Sequence, residues 1–387
     1  MVSALATFVG ARPQFIKAAP MSMALKEAGI DELLIDTGQH YDDNMAGAFY
    51  RELTLPSPAL NLGVGSGTHA QMTARIMCGA ERILQDTKPK LVLVYGDTNS
   101  TMAAALAAVK HGIPVAHIEA GLRSFRLDMP EEVNRRVTDH ISTLLLCPTA
   151  NAVINLMNEG LAPQGAATHC ASMDECRTLR PNSQRMVANV GDVMVDAIVD
   201  AEGRGSEPEW AGRLRRHQFA LLTLHRADST DNVDTLSYLV EQVIDLSRNL
   251  DVLFPIHPRT RARLKALGLL ETLENTQGML CVAPLPYLSF IQAQKRAAIV
   301  ITDSGGVQKE AFTLATPCLT LRDETEWTET LVGGWNQLIG TRPSSLRDAV
   351  ARSEKPAGDA TTPFGDGKAS QRMAAIIKQY LDQYAQH

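Results

Sequence analysis

Short apolar runs alternate with helix-length segments along nearly the whole chain, and this pattern restricts the fold more than any other feature. A first series lies near Leu5–Val9, Leu33–Asp36, Leu91–Tyr95, Val115–Ile118 and Leu144–Cys147. A second follows near Met186–Val190, Ala220–Leu224, Val252–Ile256, Met279–Val282, Ile299–Thr302 and Cys318–Leu321. Near-continuous apolar strands are buried on both faces, which calls for parallel sheets covered by helices on either side. Alanine-rich stretches such as Thr101-Met-Ala-Ala-Ala-Leu-Ala-Ala-Val-Lys110 supply such helices. At 387 residues the chain exceeds one typical core, so two domains are expected. The strand series is interrupted between about Gly160 and Arg185, where proline and glycine replace hydrophobic periodicity. The expected architecture is α/β, with two Rossmann-like doubly wound domains facing across a cleft, the first over residues 1–165 and the second over 186–365.

Composition narrows the function classes. Apolar residues make up 45% and charged residues 21%, and the net charge is −6. Neither a basic cluster for nucleic acid nor an acidic tail is present, so small-molecule chemistry is the default. No apolar run reaches the roughly 18 residues needed to span a bilayer. The N-terminal Met1-Val-Ser-Ala-Leu-Ala-Thr-Phe-Val-Gly10 reads as a first strand rather than a signal peptide. Of the six cysteines, Cys147, Cys281 and Cys318 lie in strand-like runs, and the Cys170/Cys176 spacing fits no redox or zinc motif. A reducing, cytoplasmic setting is expected.

In doubly wound sheets ligands bind beyond the carboxyl ends of the strands, so motifs are sought there. The run Thr302-Asp-Ser-Gly-Gly-Val-Gln-Lys-Glu-Ala311 joins a strand to a helix start through a small-residue turn. Backbone N–H groups at a helix N-terminus suit a phosphate or diphosphate, and Gly305 and Gly306 allow close approach. Glu310, about a turn into the helix, is placed to accept from ribose hydroxyls. The first strand ends in Gly10-Ala-Arg-Pro, which is not the dinucleotide fingerprint and argues against NAD in that half. Arg12 and Lys17 at that helix start suit phosphate, while Pro20 is expected to kink the helix.

Carboxylates gather after the central strands of the first half. Asp97 closes Val94-Tyr-Gly-Asp97 and is either a helix N-cap or a functional acid. Glu119 follows the strand ending at His117-Ile118, where an acid is costly unless paired or used. Glu131 and Arg135 lie four apart on a helix and face the same way. Three acids after neighbouring strands can remove a proton from one face of a substrate and return it on the other. In the second half His225 and His257 both close strands, as Ser304 does.

Taken in order, these motifs resemble the non-hydrolysing UDP-N-acetylglucosamine 2-epimerases, relatives of the GT-B glycosyltransferases. The resemblance rests on Gly10-Ala-Arg-Pro, Thr37-Gly-Gln-His, Tyr95-Gly-Asp-Thr, His117-Ile-Glu-Ala-Gly-Leu-Arg, Pro130-Glu-Glu-Val-Asn-Arg, Leu224-His-Arg, Thr302-Asp-Ser-Gly-Gly and Thr325-Glu. It implies a GT-B-like pair of domains, with a last helix, within 366–387, packing back on the first. It implies that Asp97, Glu119 and Glu131 are the acid/base group, supported by Arg135 and Lys17. It implies that Ser304, Gly305 and Gly306 hold the diphosphate and Glu310 the ribose. Arg12, His225 and His257 join them, His225 also counting among the catalytic set. The implied reaction is interconversion of UDP-GlcNAc and UDP-ManNAc through 2-acetamidoglucal, for surface polysaccharide. Neither a cofactor nor a metal is implied, and the expected assembly is a homodimer.

Three features depart from the family pattern. Thr325-Glu-Trp-Thr-Glu329 and Asn189-Val-Gly-Asp-Val-Met194 resemble the branch containing epimerases of UDP-2,3-diacetamido-2,3-dideoxyglucuronate. Asp42 stands where allosteric relatives carry Gln, and the Thr168–Asn182 stretch is longer than usual. A GT-B glycosyltransferase would share the fold and UDP site but would not need three carboxylates in the first domain.

Overall fold

The computed structural model of the protein describes residues 4–39, 50, 52–161, 185–204, 209–353, 356 and 363–384. His40, Asp42, Cys170, Cys176 and the Thr168–Asn182 stretch lie outside the described residues. The chain divides into two compact units, Met1–Asp200 with Pro363–His387, and Ala201–Thr362.

The first unit is built on a seven-stranded sheet of order β3-β2-β1-β4-β5-β6-β7. Its strands are β1 (Leu5–Val9), β2 (Glu32–Asp36), β3 (Leu60–Asn61), β4 (Leu91–Tyr95), β5 (Val115–Ile118), β6 (Leu144–Cys147) and β7 (Met186–Asn189). Every pairing is parallel. All residues of β1, β4, β5 and β6 are buried, which is why these runs carry no alternation. Helices α1 (Arg12–Glu27), α2 (His69–Thr87), α3 (Asn99–Lys110), α4 (Pro130–Ile141), α5 (Ala150–Asn158) and α6 (Val193–Arg204) connect or follow the strands. The chain order reverses between β1 and β4, so the strand ends at Gly10 and Gly96 flank a topological switch point.

The domain boundary expected at residue 186 needs correction. Strand β7 pairs residue by residue with β6, from Leu144 opposite Met186 to Cys147 opposite Asn189. It is therefore the last strand of the first sheet. The low-hydrophobicity stretch before it resembles a linker locally, but the four buried residues after it complete a sheet edge. Pro20 is the other local surprise, because α1 runs through it as one helix. A proline there removes one backbone donor, yet Phe15, Ile16, Ala18, Ala19, Met21 and Leu25 are all buried.

The second unit holds a six-stranded parallel sheet of order β10-β9-β8-β11-β12-β13. Its strands are β8 (Phe219–Thr223), β9 (Asp251–Pro255), β10 (Met279–Val282), β11 (Ile299–Thr302), β12 (Cys318–Thr320) and β13 (Asn336–Leu338). Helices α7 (Ala227–Thr230), α8 (Val233–Ser247), α9 (Pro258–Ala266), α10 (Leu269–Glu274), α11 (Tyr287–Arg296), α12 (Gly305–Thr313) and α13 (Leu346–Arg352) belong to it. Alternate residues of β8 serve opposite faces. Ala220 and Leu222 pack with Leu236, Leu239 and Leu264, whereas Phe219 and Leu221 pack with Trp210, Ala293 and Ala311. Burying a side chain such as Phe219 contributes about 1.5–3 kcal/mol. The order reverses between β8 and β11, so His225 and Ser304 follow the two strands of this switch point.

The last helix, α14 (Ala369–Tyr384), belongs to the first unit. Asp196 of α6 accepts from Ala369 N (3.1 Å), Ser370 N (2.8 Å) and Ser370 Oγ (2.5 Å), capping its first turn. Lys378 Nζ donates to Ala28 O at the end of α1 (2.7 Å).

Candidate active site

At the switch point of the first sheet, Gln14 of α1 ties two strand ends together. Its Oε1 accepts from Gly10 N (2.8 Å) and Ala11 N (3.1 Å), and its Nε2 donates to Tyr95 O (2.7 Å) and Thr101 Oγ1 (3.0 Å). Gly10 has no alternative there. A Cβ would lie 2.0 Å from Thr37 Oγ1 and 2.5 Å from Ser100 Oγ. Arg12 begins α1 half-buried.

The acids sit on the next two turns. Asp97 follows β4 but does not cap α3. Thr98 does so, accepting from Thr101 N at 3.3 Å. Asp97 is instead ion-paired with Arg135 of α4, while Asn134 Nδ2 donates to the Asp97 carbonyl (2.9 Å). Although 36% of its side chain is exposed, loss of hydration is the largest influence and pushes its carboxyl above the ordinary range. The Glu119 and Glu131 charges add to that push, and Arg135 and Lys17 oppose it.

Glu119 follows β5 with φ +72°, a left-handed backbone that non-glycine residues rarely adopt. Such strain concentrates at functional sites. Its N–H and that of Ala120 both reach Leu146 O (3.0 and 3.2 Å). Glu119 forms an ion pair with Lys17 of α1, both side chains being more than nine-tenths buried. A buried pair is costly to break from one side, because the other charge is left without compensation.

Glu131 is exposed on the first turn of α4. The fully buried acid is its neighbour Glu132, which the sequence reading did not single out. Its Oε2 accepts from Ser124 N (2.9 Å), Ser124 Oγ (3.1 Å) and Arg135 Nε (3.2 Å), and its Oε1 from Arg136 Nε (3.1 Å). Burial opposes its charge, but the Ser124 N–H and the two guanidinium groups outweigh burial and hold the carboxyl below its ordinary value. Arg135 is therefore held by two acids, Asp97 and Glu132.

In the second unit Asp303 plays the tying role. It is fully buried and accepts from His225 N (2.9 Å), Arg226 N (3.0 Å) and His225 Nδ1 (3.1 Å). Burial works against its charge, but those donors keep the carboxyl below its usual range. The His225 and His257 rings lie 5.9 Å apart, His257 capping α9 through Arg259 N (3.3 Å). Ser304 is the N-cap residue of α12, and its hydroxyl makes no capping hydrogen bond.

Gly305 and Gly306 open α12 with ordinary helical backbone, so their use lies in space rather than in left-handed φ. A Cβ on Gly305 would lie 2.5 Å from Glu326 Oε1, whereas one on Gly306 would meet nothing within 4 Å. Glu326 is disfavoured as an anion by burial, yet Arg322 (2.9 Å) and Arg226 (3.8 Å) hold its carboxyl below normal. Glu310 is buried and accepts from Gln294 Nε2 at 2.6 Å. In the variant segment, Trp327 lies under the Lys309 ammonium, 3.9 Å from the ring centroid.

The sequence-derived residues thus fall into two groups. Lys17, Asp97, Glu119 and Arg135 pair in the first unit, with Glu131 nearby on α4 and Arg12 at the start of α1. His225, His257, Ser304, Gly305 and Gly306 follow strands of the second, and Glu310 lies deeper in α12. Among the described residues no cluster of His, Cys, Asp and Glu has metal-binding geometry, and no helix is long and apolar enough to cross a membrane.

Known proteins share this fold. Residues 23–378 match the family model described as UDP-N-acetylglucosamine 2-epimerase. A Pseudomonas aeruginosa protein named UDP-2,3-diacetamido-2,3-dideoxy-D-glucuronate 2-epimerase is 41% identical over 374 residues, 96% of this chain and 98% of its own length. The UDP-N-acetylglucosamine 2-epimerase of Methanocaldococcus jannaschii is 39% identical over 380 residues, 96% of this chain and 98% of its own. The crystal structure of that organism's enzyme in complex with UDP-GlcNAc and UDP superposes with a TM-score of 0.84 at 38% identity, covering 97% of this chain and 99% of that one. Since the family model covers residues 23–378 and these relatives match 96% of the chain at about 40% identity, the chain belongs to the UDP-N-acetylglucosamine 2-epimerase family.

Proposed function

We propose that the chain is an isomerase that interconverts UDP-N-acetylglucosamine and UDP-N-acetylmannosamine by eliminating and re-adding UDP. The observation that carries this reading is the pair of carboxylate–cation contacts, Glu119–Lys17 and Asp97–Arg135, beyond the adjacent strands β4 and β5. Family membership and the UDP-GlcNAc bound by the Methanocaldococcus jannaschii enzyme support it.

The chemistry explains why two acids are needed. A C2 hydrogen in a 2-acetamido sugar is too weakly acidic for simple removal and return. In an elimination, a carboxylate takes that proton as its electron pair becomes the C1–C2 double bond. The C1–O bond breaks with its electrons on the diphosphate. The second acid, protonated beforehand, then gives its proton to C2 of 2-acetamidoglucal on the opposite face. The C1–C2 π pair forms the C2–H bond as the diphosphate oxygen rebonds to C1, leaving the first acid protonated and the second ionised. No electron is gained or lost overall. On this reading Asp97 and Glu119, with Glu131, carry the proton, and Lys17 and Arg135 steady their charges. The Ser304-Gly305-Gly306 helix start, with His225, His257 and Arg12, meets the charge developing on the departing diphosphate, and Glu310 meets the ribose.

A second substrate is favoured by one segment. Trp327 of the Thr325–Glu329 variant lies against Lys309 of α12, and the Pseudomonas aeruginosa relative is named for a diacetamido uronate. Incubation with each UDP-sugar in D2O separates the possibilities. Deuterium entering C2 with UDP still attached is expected for the true substrate. Release of UDP without an acceptor would mean hydrolysis, and exchange in neither substrate would remove the epimerase reading. The same reading takes the chain as a cytoplasmic homodimer, which a sedimentation mass of one chain would overturn.

A further inference from the structure

The core of the first sheet contains a charged cluster that the proposed reaction does not use. His117 lies within β5, opposite Val94 of β4 and Leu145 of β6, and is fully buried. A polar ring at such a place is costly unless both nitrogens are satisfied. Its Nε2 lies 2.7 Å from Gly96 O, and its Nδ1 lies 2.7 Å from Asp139 Oδ1. A carbonyl only accepts, and so does an ionised carboxylate. Asp139 also takes Gly121 N (3.1 Å) and Arg123 Nη1 (2.7 Å) on its other oxygen. The ring therefore donates from both nitrogens. Arg123 in turn makes two 2.8 Å bonds to Glu159, so each charge in the row has an opposite neighbour.

Gly96 is where this row meets the acids. It is held at both ends by β5, its N–H donating to Ile118 O (3.0 Å) and its carbonyl accepting from His117. It precedes Asp97 in sequence, and a Cβ on it would lie 3.0 Å from Glu119 Oε2. A shift of this one peptide would move one acid and disturb the other. Gly121, held by Asp139, lies two residues beyond Glu119 and has φ +83°.

We propose that His117 is a positioning residue, acting through the Gly96 carbonyl to fix Asp97 against Glu119 and through Asp139 to fix the turn beyond Glu119. The proposal rests on the reading of Asp97 and Glu119 as proton-transfer groups. It separates the catalytic worth of one hydrogen bond from the structural worth of the ring. A glutamine amide reaches roughly where Nε2 stood, and an asparagine amide roughly where Nδ1 stood. His117→Gln thus keeps the bond to Gly96, and His117→Asn keeps the bond to Asp139.

The test measures kcat, KM and Tm of both variants in the full-length protein with the UDP-sugar that the wild type epimerises. His117→Asn is expected to lose about a hundredfold in kcat, the scale of a 1 Å misplacement. His117→Gln should lose less than about tenfold, with a similar drop in Tm and with KM little changed in both. Equal kcat losses, or losses that follow Tm alone, would overturn the proposal. Should His117→Asn not fold, 15N-histidine spectra of the wild type decide, since a bare Nε2 on His117 is incompatible with the clamp and a protonated one supports it. Failure of the underlying reading is distinguishable, because Glu119→Gln would then retain deuterium exchange at C2 whatever the His117 variants do.

Discussion

At the switch point of the first sheet, the neutral amide of Gln14 joins the Gly10 and Tyr95 strand ends. At that of the second, the carboxylate of Asp303 does the equivalent work for His225 and Arg226. The surroundings differ in the same sense. Beyond β4 and β5, charges are carried by long side chains that pair across elements, Lys17 with Glu119 and Arg135 with Asp97. Beyond β11, a helix starts with two glycines whose hydroxyl-bearing N-cap makes no side-chain cap. The first arrangement can hold and release protons at defined atoms. On the proposed reading the second presents backbone donors and a helix dipole to an anion, with two histidines beside them. One fold then serves, on that reading, proton chemistry at one switch point and anion binding at the other, so substitutions at each should fail in different ways.

The largest effect is expected at Glu119. Glu119→Gln keeps the shape and removes one of the carboxylates proposed to carry the proton. General acid–base groups typically contribute 10²–10⁴ in rate, so C2 deuterium exchange should fall by about a thousandfold or more. Binding of UDP, measured by calorimetry, should stay within about threefold of wild type, since that task is assigned to the other unit. Loss of UDP binding with retained exchange would reverse the division of labour proposed between the two units.

The converse substitution lies at Gly305. Its added Cβ would stand 2.5 Å from Glu326 Oε1, so Gly305→Ala must displace either the carboxylate or the helix start. UDP affinity should fall about 10- to 100-fold, or about 1.4–2.8 kcal/mol. Gly306→Ala meets open space and should cost less unless the methyl meets the ligand itself. Calorimetry on the two variants ranks them, and a larger loss at Gly306 would show that ligand approach outweighs the Glu326 contact.

How much of this was legible in the sequence depended on whether the signal was local. Strand runs such as Leu91–Tyr95 and Ile299–Thr302 announced themselves, because burial on both faces leaves no polar residue to blur them. The turn at Thr302–Gly306 was legible because its signal is also local, two glycines between a buried strand and a helix start. Asp97 was ambiguous, since Asp and the adjacent Thr98 are both good caps and only the fold shows Thr98 capping. Glu132 was hidden by helix phase. Adjacent residues point about 100° apart, and nothing local says which of Glu131 and Glu132 faces the core. His117 was hidden by register, because its partners Gly96 and Asp139 are 21 and 22 residues away. The membership of β7 in the first sheet was likewise a long-range fact, masked by the linker-like residues before it.

The smallest effect, and the sharpest on the comparison, concerns Glu132. Glu132→Gln keeps one acceptor oxygen but turns an amide toward donors that include Ser124 N–H and the Arg135 and Arg136 guanidiniums. Leaving such donors imperfectly matched costs about 1–3 kcal/mol. Because Arg135 retains Asp97, turnover should fall only a few-fold while stability carries most of the change. The sign with pH follows from the direction of the shift. Folding holds the Glu132 carboxyl below its ordinary 4.5, so its contribution is complete above that value and fades as pH falls through the folded one. Urea unfolding of wild type and variant should therefore show the full difference at pH 7 and a shrinking one below about pH 4.5. Carboxylates common to both proteins cancel in that difference. A gap that stays constant with pH would mean that Glu132 acts through packing rather than charge, and that the first unit's charge network ends at Asp97 and Arg135.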